Sequence, residues 1–155
     1  NELALAMLEA EQGGYAGQCA LRMMLWTEPV EIGPFVLLHP TPLEQTHLAE
    51  AQAKAKSALS AKPDLLPALL LLGRLAWIDG RANDAQGYFQ RALMFAPDSG
   101  QAQLGLIDLH LDRREREKAQ TALNAIKSGD PEITNNLGLR LATLAVWRGD
   151  GAGAV

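Results

Sequence analysis

The chain has one cysteine, Cys19, in 155 residues. That excludes an internal disulfide framework and a thiolate zinc site built within the chain. Cys19 lies in an apolar stretch with Ala20, Leu21, Met23 and Met24, where a buried inert thiol is expected and the methionines read as core filler. Long hydrophobic runs are absent as well. The longest, Leu65 to Ile78, is interrupted by Pro67, Gly73 and Arg74, and falls short of the about 20 apolar residues that cross a bilayer. There is no signal-peptide pattern, so no direct membrane insertion is expected and the compartment, cytoplasm or periplasm, stays open. Positive charge is not in excess: the formal net charge is −4 and the pI is near 5.3. A phosphate backbone is therefore not an expected partner, and no nucleic-acid binding is anticipated. No HExxH, paired CxxC, Walker A or GxGxxG pattern occurs to organise the three histidines. His39 lies among prolines, and His47 and His110 fall on different predicted helices, so surface or packing roles are expected for each. Without an acid–base, nucleophile or metal constellation the reading is of no enzyme and no cofactor.

What the chain does have is alanine and leucine, the best helix formers, and a period. Pro63, Pro97 and Pro131 stand 34 residues apart, each followed by an acid, Asp64, Asp98 and Glu132. Ala51, Ala85 and Ala119 precede them in one register, Ala55, Phe89 and Leu123 in a second, and Ala58, Ala92 and Ile126 in a third. A period of this length describes a helical hairpin. Leu65 to Asp79 predicts a first helix, Gly80 to Asn83 a turn, and Asp84 to Phe95 a second helix. On that second helix Ala85, Tyr88, Phe89, Ala92 and Leu93 share one face. Pro97 stops it, and Asp98 or Ser99 can cap the next helix. Gly73 and Ala85 stand where two backbones must approach closely, and Phe89 is the large side chain that fills the space between hairpins. The mixed-sign run Asp112 to Lys118 falls at a predicted turn and reads as a solvated corner.

These residues resemble the tetratricopeptide repeat. Leu66 to Ser99 is the best copy, with Leu72-Gly73, the turn glycine Gly80, then Ala85, Phe89, Ala92 and Pro97. Leu69 replaces the family's early tryptophan, Ala76 its tyrosine, and in the next copy Ile107 stands where the glycine should be. The copy before keeps only its second helix, about Leu43 to Ala61, and Asn136-Leu137-Gly138 opens a further first helix. The resemblance implies an all-α, right-handed superhelix of antiparallel helical hairpins with a 34-residue repeat. It also implies that the first helices line a concave groove. On the best copy the groove-facing positions are then Leu70, Arg74, Trp77 and Ile78. On the next they are Leu104, Asp108, Leu111 and Asp112, with Leu139 and Thr143 continuing the row. Arg and Trp are favoured interface anchors, although Trp77 could equally be core between hairpins. The family's carboxylate-clamping groove uses basic and asparagine side chains where Leu70, Leu104 and Asp108 stand here, so an acidic C-terminal tail is a poor fit.

The domain expectation is one helical-repeat unit over 1–155, beginning at Asn1 rather than methionine and expected to be a piece of a longer protein. Residues 1–27 read as a degenerate hairpin with Gly13-Gly14-Tyr15 as its turn, 28–43 as a proline-rich connector, 44–133 as repeats, and 134–155 as a last helix and truncated repeat. The connector is either a spacer or a segment lying along the groove. Leucines, Val146 and Trp147 spread around the last helix, which predicts continuation into more repeats or self-association. The function expected is binding of another protein or peptide, as a scaffold or assembly factor. A ligand-responsive regulatory domain and a self-assembling structural element are the alternatives.

Overall fold

The computed structural model describes residues 1–14, 17–18, 20–21, 41–126, 137–138, 140–142 and 144–145. Six helices are complete within these: α1 Glu2–Gln12, α2 Pro42–Ala61, α3 Leu66–Ile78, α4 Ala82–Phe95, α5 Gly100–Asp112 and α6 Arg116–Ala125. No strand occurs among the described residues. Each helix packs on the next, and α3 also touches α5, so successive hairpins stack with their first helices side by side.

The helix boundaries follow from end chemistry. α2 starts inside the stretch that proline density had assigned to a connector, because Pro42 occupies the first helical position, where a missing N–H costs nothing. Thr41 caps it: its hydroxyl accepts the Glu44 N–H at 3.3 Å, and Glu44 Oε2 accepts the Thr41 N–H at 2.6 Å. α5 is capped by Ser99, whose Oγ accepts the Ala102 N–H at 3.4 Å. α4 begins at Ala82, two residues before the expected start, because Gly80 at φ +75° reverses the chain on its own. The Gly80 N–H donates to Trp77 O at 3.0 Å and the Arg81 N–H to Ala76 O at 2.8 Å. Thirty-four residues on, the same bonds recur, Arg114 to Leu111 at 3.0 Å and Glu115 to His110 at 2.8 Å, with Arg114 at φ +57° in the glycine's place.

Phe89 of α4 is fully buried between α3 and α5. A Cβ on Gly73 would stand 2.6 Å from a ring carbon, and one on Gly105 would stand 2.7 Å from it. Both helices therefore present bare backbone to the ring. The second flat surface is Gly105, two residues before the register position that Ile107 fills. Ile107 instead joins Leu104, Ala119, Leu123 and Leu144 in a separate buried cluster. At the other end α1 lies along α2, with Ala6, Ala10, Ala51 and Ala55 all fully buried in the main core. Small side chains on both partners let the two backbones come close. α1 thus takes the place of the first helix that α2 lacks in its own copy, with residues 13–41 between them.

Candidate functional site

The first helices carry the row of positions expected to face a groove. The structure divides that row in two. Leu70, Arg74 and Leu104 are buried, at 5%, 2% and 0% exposure, and so present no contact surface. The reason lies in α3, where every residue from Ala68 to Ala76 is buried, as suits a helix that is apolar almost all round. Trp77, Ile78 and Leu111 are half-buried and Asp112 is exposed, all at the C-terminal ends of α3 and α5. Asp108, one turn below Asp112, has a side chain only 12% exposed.

Arg74 and Asp108 hold the same register position in successive copies and meet directly. Arg74 Nη1 donates to Asp108 Oδ2 at 2.9 Å. Arg140 grips the same carboxylate with two bonds, Nε to Oδ1 at 2.6 Å and Nη2 to Oδ2 at 2.7 Å. Two cations thus share one anion in a nearly dry place. The guanidinium of Arg74 also lies over two aromatic rings, 5.2 Å from the Phe89 centroid and 5.6 Å from that of Trp77. Their negative faces offset part of the uncompensated charge. Burial pulls the Arg74 pKa down while Asp108 pushes it back up. A guanidinium has far to fall before losing its proton, so the group stays charged. Arg140 was not among the expected site residues. It stands 32 residues from Asp108, so a strict 34-residue register does not pair them.

One register along, the Trp77 indole N–H donates to Asp112 Oδ2 at 3.2 Å. That bond couples the ends of α3 and α5. The corner below it is tied by Arg113, which reaches back to Gln86 and Asn83 at 2.7 Å each. His110 meets Glu115 at 2.7 Å, and Lys118 meets the same carboxylate at 2.9 Å. His47 makes a similar contact at the α1–α2 seam, 2.8 Å from Glu9, whose other oxygen binds Lys54 at 2.8 Å. Glu9, His47 and Glu50 bring potential metal ligands within 4.8 Å of one another, but the Lys54 ammonium already stands among them. Cys19, His39, Leu139 and Thr143 lie outside the described residues, as do most of the proline-rich connector and the end of the chain.

Residues 76–133 match the family model described as tetratricopeptide repeat. Comparison with curated proteins and with solved structures finds no significant match. The 34-residue register, the turn repeated bond for bond and the phenylalanine lodged between hairpins agree with that match, which supports tetratricopeptide repeats over residues 76–133.

Proposed function

We propose that the chain is a protein-binding module that takes a peptide or helix of a partner on the rim formed by the C-terminal ends of α3 and α5. Tetratricopeptide repeats generally mediate protein–protein interaction. The observation that carries the reading is the contrast within the row. Leu70 and Leu104 are spent in the core, and Arg74 and Asp108 on pairing neighbouring first helices. Trp77, Ile78, Leu111 and Asp112 keep surface to offer. Large side chains with a polar handle, held rigid before binding, give contact area at low entropic cost. A place in a multi-protein assembly follows from the same reading.

Capture from a lysate of the source organism tests it, using the native domain beside a Trp77→Ala/Leu111→Ala variant of equal helicity by circular dichroism. A protein held by the native domain and released by the variant is the expected result. Equal retention by both moves the contact away from this rim and overturns the reading. The buried Arg74 is unsuitable for such a test, because a change there would damage the fold and mimic a loss of binding. Self-association is a second reading, favoured by Leu141, an apolar side chain 45% exposed on the last helical residues described. A Leu141→Gln change that dissolves concentration-dependent oligomers in light scattering would support it.

A further inference from the structure

The geometry points to the chemistry of the partner: we infer that the rim takes a segment pairing a lysine or arginine with apolar side chains, the cation seated on Asp112. This rests on the proposal that the rim binds a protein at all. Asp112 ends α5, at the negative end of the dipole that the aligned peptide groups of the helix sum to. α3 ends beside it, and the Trp77–Asp112 bond shows how close the two C-termini lie. A carboxylate at a helix C-terminus stands against the dipole and destabilises its own helix unless a cation compensates. Nearby acids have that compensation: Asp79 is bound by Arg81, Asp108 by two arginines, and Glu115 by Lys118. Asp112 has none among the described residues. Its one bond is to the neutral indole of Trp77, and that bond leaves Oδ1 unengaged. The next residue, Arg113, reaches the other way, to Asn83 and Gln86.

The buried arginines do not make the rim cationic. Asp108 lies between them and cancels one charge, so Arg74, Arg140, Asp108 and Asp112 together sum to zero. Two helix C-termini tip the balance toward a cation. The overall charge of −4 acts in the same direction on the approach. Trp77, bonded to the carboxylate, supplies the surface for the methylene stem, and Ile78 and Leu111, half-buried at the same helix ends, supply it for a neighbouring apolar side chain.

Fluorescence anisotropy with two labelled, acetylated and amidated peptides provides the test, one alternating leucine with lysine and the other alternating leucine with glutamate. The lysine peptide is expected to bind about tenfold tighter to the native domain. Asp112→Asn, which keeps an oxygen for the Trp77 N–H, is expected to weaken it by about fivefold and to flatten its salt dependence. The same variant should melt no lower than the native domain, because it removes a charge opposed to the dipole. Unchanged affinity in Asp112→Asn would overturn the assignment of Asp112. If both peptides bind equally and both are lost in Trp77→Ala, the rim is a docking surface but the basic partner is wrong. Binding of neither peptide would remove both the inference and the rim.

Discussion

Arg74 illustrates how one residue can carry two opposite meanings. In a row of leucines an arginine reads as an interface anchor, because a charge is not expected to be buried. It is buried here because Asp108, 34 residues on, and the rings of Phe89 and Trp77 surround it. A buried pair of this kind is weak as a source of stability but costly to break. Asp108→Asn would leave two guanidinium groups, Arg74 and Arg140, without their shared anion. The expected loss is about 3–5 kcal/mol in urea denaturation, far more than an exposed ion pair would give. A loss below about 1 kcal/mol would show that the carboxylate is not needed to hold the first helices together.

At the level of elements, the turn between paired helices is the recurring unit, and it requires a left-handed residue. Gly80 meets that requirement without strain. A Cβ there would touch nothing within 4 Å, so any cost of Gly80→Ala comes from the backbone alone. That cost is expected to be about 1–2 kcal/mol. Arg114 occupies the equivalent position at φ +57°, and Arg114→Gly should raise stability by about 0.5–1 kcal/mol. Opposite shifts of the two urea midpoints check the argument, and shifts of the same sign would refute it. The period in the prolines made these hairpins legible, since proline ends a helix whatever its neighbours. The period did not reveal that Gly105 rather than residue 107 makes room for Phe89. A close approach depends on where the helix crosses the ring, and crossing geometry is not written in a one-dimensional register.

Across the whole molecule, two seams between helices and one helix start are held by carboxylates whose pKa values lie below the ordinary 4.5. Glu9 is lowered by Lys54 and then His47, joining α1 to α2. Glu44 is lowered by the Thr41 backbone N–H and then its hydroxyl, at the start of α2. Glu115 is lowered by Lys118 and then His110, at the α5–α6 corner. A group whose folded pKa is depressed contributes stability above its unfolded value, and that contribution is lost as pH falls through the folded one. Stability should therefore be level in this respect above about pH 5 and decline below pH 4.5. A Glu9→Gln/Glu44→Gln/Glu115→Gln variant should show a shallower decline in urea midpoints between about pH 3.5 and 6. An unchanged slope would mean that these carboxylates do not titrate with folding.

Composition and period alone determined that this chain is all-helical, where its paired helices turn, and that Phe89 fills the space between hairpins. They suffice because helix propensity, proline stops and turn glycines act through neighbours in sequence. Only tertiary structure decided that α1 would serve as partner to α2 across residues 13–41. Its fully buried alanines signal close packing without naming what they pack against. Tertiary structure also divided the candidate row, burying Leu70, Arg74 and Leu104 and leaving the Trp77–Asp112 rim at the surface. The physical reason is that exposure is a property of what surrounds a side chain. For a charge such as Arg74, burial became tolerable only once Asp108, Arg140 and two aromatic faces met around it.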